Sequence, residues 1–113
     1  MFGEILKNVA DVHPIIHCIT NYVTVNDCAN VLLACGASPI MADDEAEADE
    51  ITSLCSGLVI NIGTLNSRTL VSMAKAGAKS CSLNHPVLLD PVGAGASSLR
   101  TSAALDLIEK VHF

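Results

Sequence analysis

The chain has 113 residues, half of them hydrophobic and 16% charged, with a formal net charge of −6. That is enough apolar material for one packed domain or part of one, and it excludes a disordered tail. Scattered Lys and Arg and only three aromatic residues (Phe2, Tyr22 and Phe113) exclude a nucleic-acid binder, which needs basic patches and stacking rings. No basic segment followed by an apolar run opens the chain, and no apolar stretch reaches the roughly 18 residues of a membrane span, so the expected location is the cytoplasm.

Residues 2–12 carry apolar side chains at helical spacing and stop before His13-Pro14. "PIIHCI" is a short β-branched run and reads as a strand. A helix follows over the later part of "TNYVTVNDCANVLLACG", with Val25, Cys28, Ala29, Leu32 and Leu33 on its face and Gly36 as its stop. "SPIMA" is a second strand. The acidic run "DDEAEADE" reads as the solvated start of a helix, where carboxylates meet the positive end of the dipole. "GLVINIG" is the clearest strand, apolar on both faces around Asn61. "NSRTLVSMAKAGAKSCSLN" is a helix with Leu70, Met73 and Ala74 inward and Asn66 or Ser67 as its cap. "PVLLD" is the fourth strand, and "RTSAALDLIEKV" a last helix with Leu105, Ile108 and Val111 near one face.

Short apolar strands alternating with helices predict a parallel sheet covered on both faces, in one domain without internal boundaries. The five cysteines (Cys18, Cys28, Cys35, Cys55 and Cys81) are odd in number and lack C-x-x-C spacing. Buried, reduced thiols are expected rather than a zinc site or a disulfide framework.

Ligands of an open parallel sheet bind outside the carboxyl ends of its strands. Each strand here is followed by small or polar residues: Thr20 and Asn21; Met41, Ala42 and Asp43; Gly63 and Thr64; Asp90, Gly93 and Gly95. Their convergence on one edge points to a site, although Asn21 alone fits a turn cap and Gly63 a tight turn. "LLDPVGAGAS" is not a Walker A loop, because no lysine follows, and "GAGASS" is one glycine short of the dinucleotide fingerprint. Asp90, a carboxylate at a strand end beside backbone N–H groups, suits a hydrated Mg²⁺ near phosphates; alternatively it fixes the turn. His17 reads as a satisfied core residue, and His13 and His85 as turn residues beside prolines.

Three long segments, "HCITNYVTVNDCANVLLACGASPIMA", "LVINIGTL" and "LLDPVGAGAS.LRT", closely resemble the hydroxyethylthiazole kinase family of thiamine salvage. The resemblance implies a ribokinase-like three-layer α/β/α fold with a mostly parallel sheet. It implies ATP-dependent phosphorylation of the hydroxyl of 4-methyl-5-(2-hydroxyethyl)thiazole, with ATP as co-substrate and Mg²⁺ as cofactor. By similarity Asn21, Val23, Met41 and Gly63 line the thiazole pocket with Thr64 beside it, and Asp90 acts in the Mg²⁺–phosphate region. The resemblance also implies homotrimers whose sites are shared between neighbours. The family's later Arg, acid and anion-binding glycine loop, which meet ATP and activate the hydroxyl, have no counterpart here. The expectation is therefore that residues 1–113 are the N-terminal, substrate-side half of one kinase domain, with no catalytic residue of their own and no turnover alone. Such a half sheet would expose a strand edge and apolar helix faces. The alternatives are a related vitamin kinase acting on a pyrimidine alcohol, and a non-catalytic paralogue that binds thiazole or associates with full-length subunits. A nucleotide-binding half domain fits worst, because both glycine fingerprints fail.

Overall fold

A computed structural model describes all residues from Met1 to Phe113. The order is α1 (Phe2–Val12), β1 (Ile15–Ile19), α2 (Val25–Ala34), β2 (Ser38–Met41), α3 (Ala48–Leu54), β3 (Gly57–Asn61), α4 (Ser67–Ser82), β4 (Val87–Asp90) and α5 (Ser98–Lys110). The four strands form one sheet in the order β2-β1-β3-β4, every pair parallel. Alternation and parallel pairing thus follow the pattern in the sequence.

The two sheet faces differ. Ile19, Leu58, Ile60 and Ile62 pack with Met73 and Ala76 of α4, Ala104 and Leu107 of α5, and Val111 just beyond α5, in one aliphatic core. His17 points to the same side and meets Thr52 of α3. Burying a side chain of this size contributes roughly 1.5–3 kcal/mol, so this face carries most of the fold. The opposite face is covered less fully than expected. There α2 lies beside β2, while Leu88 of β4 stays 57% exposed. Only the β1–β2 connection crosses to that side, so only half of the sheet is roofed.

Two helix faces also differ from the periodicity. Leu105 and Ile108 of α5 are 61% and 57% exposed, while the small Ala103 and Ala104 are buried along with Leu107. Close approach of the chain after α5 to α4 explains the choice. A Cβ on Gly77 would stand 2.5 Å from Val111 Cγ2, so small residues make that seam. Leu33 of α2 is likewise exposed. The acidic run does not open a helix as a whole, since α3 begins only at Ala48 and Asp43 pairs with Arg68 instead.

Helix ends follow local chemistry. Asn66 accepts from the Thr69 amide, and the Thr69 hydroxyl accepts from the Asn66 amide, a reciprocal capping box. Asn66→Ala is expected to lower stability by about 1 kcal/mol, seen as a fall in Tm of roughly 4 °C in scanning calorimetry. Gly36 follows α2 with φ +93°, and a Cβ there would lie 2.8 Å from the Ala10 Cα, so the α1 and α2 ends meet backbone to backbone. His13 ends α1 in the left-handed region at φ 51°, and its Nδ1 donates to the Gly36 carbonyl at 3.0 Å.

Candidate functional site

Strand order places β2 on one side of β1 and β3 on the other. The segment after β1 therefore leads toward α2 on one face, and the segment after β3 toward α4 on the other. Diverging connections leave a crevice at the carboxyl ends, the usual ligand position in open parallel sheets. A cavity of about 420 Å³ lies there, lined by Asn21, Val23, Thr24, Asn61, Gly63, Asp90 and Val92. Asn21, Val23, Gly63 and Asp90 thus line one cavity.

The walls are interlocked. The Asn21 Oδ1 accepts from the amides of Val23 and Thr24, both at 2.9 Å, and from the Thr24 hydroxyl at 3.1 Å. It fixes the turn that leads into α2, the turn role its side chain suits. Its Nδ2 donates to Asn61 Oδ1 at 3.0 Å, which also accepts from the Gly63 amide at 2.8 Å. The Asn61 Nδ2 then donates to Asp90 Oδ2 at 2.8 Å, across the β3–β4 register pair Asn61 and Asp90. The Gly63 amide can only donate and a carboxylate only accepts, so both carboxamide orientations are determined. Asn61 was missed as a site residue. The available signal was a lone polar residue at the carboxyl end of an apolar strand.

The glycine loop after β4 is a structural turn. Gly93 and Gly95 take φ of +74° and +91°, the left-handed region where a side chain would be strained. The amides of Ala94, Gly95 and Ala96 donate to Pro91 O, Thr101 Oγ1 and Gly93 O. Three loop N–H groups are therefore spent internally and cradle no anion. Arg100 closes the arrangement by donating to the carbonyls of Ile62 at 2.7 Å, Val92 at 2.9 Å and Gly63 at 2.7 Å.

Met41 lies apart from the crevice, whereas Thr64 stands beside it, next to Gly63. Met41 lines a second, smaller cavity of about 140 Å³ with Cys18, Thr20, Tyr22, Val25, Ala42 and Asp43. The Thr64 hydroxyl accepts from the Tyr22 amide at 3.1 Å, holding the β1–α2 segment against the β3–α4 turn. Beside them Arg68 meets the Asp43 carboxylate at 3.0 Å, and the Tyr22 hydroxyl donates to it at 3.0 Å. The Arg68 hydrogen bond, opposed by partial burial and aided by Tyr22, holds the Asp43 carboxyl below its usual range.

His17 is fully buried, its Nε2 at 2.7 Å from the Ala42 carbonyl and its Nδ1 at 3.0 Å from the Thr52 hydroxyl. A carbonyl only accepts, so Nε2 carries the proton. Burial lowers the pKa, opposed by the Ala42 hydrogen bond and by Glu47, and favours the neutral ring. All five cysteines are free, and burial, with smaller contributions from Cys28 and Cys55, pushes the Cys18 thiol up to about 12.

An all-parallel sheet with helices on both faces and a polar crevice at its switch point is an open, doubly wound α/β architecture, consistent with a ribokinase-like fold. The profile described as "Hydroxyethylthiazole kinase family" matches residues 6–113. The chain belongs to the hydroxyethylthiazole kinase family. It is 66% identical over 113 residues to the hydroxyethylthiazole kinase of Clostridium acetobutylicum, covering all of this chain and 41% of that protein. It is 59% identical over 113 residues to that of Desulfovibrio desulfuricans, covering all of this chain and 40% of the relative. Its fold is similar to the solved hydroxyethylthiazole kinase protein from Pyrococcus horikoshii OT3, with TM-score 0.92 and 48% identity, over 95% of this chain and 42% of that one. The chain thus spans about two fifths of the length of the curated relatives it matches.

Proposed function

We propose that these residues form the substrate side of an ATP-dependent kinase that phosphorylates the hydroxyl of 4-methyl-5-(2-hydroxyethyl)thiazole. The observation that carries the reading is the crevice in which Asn21, Val23, Gly63 and Asp90 meet at the ends of three strands. Its volume of about 420 Å³ suits a small heterocycle with room for a transferred phosphoryl group. Val23 offers an apolar surface to the ring. The Asn21 carbonyl oxygen is saturated by its three donors, so the residue's unspent capacity is one amide N–H. It therefore favours a ligand atom that accepts, as a thiazole nitrogen does.

Asp90 is the only carboxylate lining the crevice, and no group of three or more His, Cys, Asp or Glu side chains in the chain could hold a metal. That fits a hydrated Mg²⁺ shared with nucleotide phosphates rather than a protein cage. Such an ion supplies charge neutralisation during phosphoryl transfer. The chain's own part is to orient the alcohol, with Asp90 held by Asn61. In this reading the ATP-side groups lie outside these 113 residues, consistent with a loop whose N–H groups are spent. The protein acts in the cytoplasm, and no helix is long and apolar enough to cross a membrane. A homotrimer with shared sites belongs to the same reading: Met41, absent from the lining of the crevice that holds Asn21, would serve a neighbour's site.

The test is hydroxyethylthiazole-dependent ADP release by the native gene product, with a pyrimidine alcohol as comparison. Turnover with the thiazole and not the pyrimidine is expected, and the reverse preference would replace the substrate assignment. For the 113-residue chain alone, calorimetry should show thiazole binding without ATP turnover. Turnover by that chain would overturn the division into halves. A native product of this length that binds thiazole and turns over no ATP would favour the non-catalytic module.

A further inference from the structure

The hydrogen bonds along the crevice wall run in one direction. The Val23 and Thr24 amides, at the N-terminal end of α2, donate to Asn21. Asn21 donates to Asn61, and Asn61 donates to Asp90. Each bond leaves its acceptor's own N–H more polarised for the next, and the series ends on a carboxylate. Helix N-termini carry partial positive charge, so the series leads from a positive helix end to a negative group across three strands. Asn61 is the only member that touches both Asn21 and Asp90. Its Oδ1 is saturated by Asn21 and Gly63, and one of its two amide hydrogens goes to Asp90.

We infer that Asn61 is the positioning residue that couples the substrate wall at Asn21 to the carboxylate of Asp90. The assignment of roles to its two ends rests on the proposed kinase reading. The Asn21 arm fixes the alcohol's pocket, and the Asp90 arm fixes the carboxylate on the phosphate side. The two arms separate by substitution. Asn61→Asp keeps the acceptor toward Asn21 and Gly63 but turns an oxygen toward Asp90, where a donor was needed. Asn61→Leu removes both arms at similar volume.

Kinetics of the native gene product with hydroxyethylthiazole and MgATP read the separation. For Asn61→Asp the expected result is a fall in kcat of at least about tenfold, the scale of one hydrogen bond to a charged group. The Mg²⁺ concentration for half-activity should rise, while KM for the thiazole stays within about twofold. Asn61→Leu should lower kcat and raise KM together. A purely structural role would move kcat and KM alike in both variants, and that result would overturn the inference, as would an unchanged kcat in Asn61→Asp. A second measurement needs no substrate. In Asp90→Ala the side-chain amide resonances of both Asn61 and Asn21 should shift; movement of Asn61 alone would refute the coupling. Lack of thiazole turnover by the native product would fail the kinase reading, and the resonances would still decide the coupling.

Discussion

Gly63→Ala is expected to weaken thiazole binding by at least about tenfold in calorimetry while leaving the fold intact. A Cβ at Gly63 would stand 2.9 Å from Asn21 Cβ, 2.9 Å from Asn61 Oδ1 and 3.1 Å from Asn21 Cγ. None of these atoms can retreat freely, because Asn21 is tied to α2 and Asn61 to Asp90. Overpacking of this kind costs about 1–3 kcal/mol, taken up by displacing the two carboxamides. A tenfold loss of affinity corresponds to about 1.4 kcal/mol, within that range. Gly95→Ala is the control. Nothing lies within 4 Å of its added carbon, and only the φ of +91° is unfavourable. It should cost about 1 kcal/mol in stability and leave thiazole affinity unchanged. Equal affinity loss in both variants would remove the special role of the Gly63 contact.

His17→Leu is expected to destabilise the chain by about 2 kcal/mol and to remove part of its acid sensitivity. Leucine fills the space but leaves the buried Ala42 carbonyl without its donor, and that desolvated group sets the cost. The pH dependence has a definite sign. Above the ordinary imidazole pKa of 6.5, folded and unfolded chains both hold a neutral ring. Below it the unfolded chain binds a proton that the buried ring resists, since its folded pKa is depressed. Stability is therefore full above 6.5 and falls as the pH drops toward the folded value. Urea melts of wild type and His17→Leu between pH 7.5 and roughly 5 should converge as the pH falls. Parallel curves would show that His17 contributes nothing to the slope.

The alternation of strand and helix was legible because each strand is a short apolar run bounded by Gly, Pro or polar residues, as buried parallel strands require. The edge on which the site forms followed from that alternation alone. Asn21, Gly63 and Asp90 could be grouped without coordinates because each lies at or within two residues of a strand's carboxyl end, whereas Val23 came from the family resemblance alone. Met41 follows the same rule but sits at the end of β2, on the far side of β1 from the crevice. Chain position names the edge of the sheet, and strand order decides which loops on that edge touch. The α5 face was misread for a related reason. Leu105 and Ile108 outweigh alanines in any hydrophobic pattern, whereas the packed seam selects for small volume, a property of the neighbour. Asn61 went unnoticed because its partners lie 40 and 29 positions away.

The crevice has one wall that cannot change and one that can. Asn21, Asn61, Gly63 and Asp90 hold one another, and Arg100 fastens the carbonyls behind them. Val23 is 81% exposed, and its side chain is absent from the aliphatic core. Replacing it costs little stability and reshapes the mouth of the cavity directly. If the crevice holds the substrate as proposed, substrate scope in such a lineage is free to drift at Val23 under selection, while substitutions at the four linked residues would be removed as folding or activity losses before any new specificity could be tried.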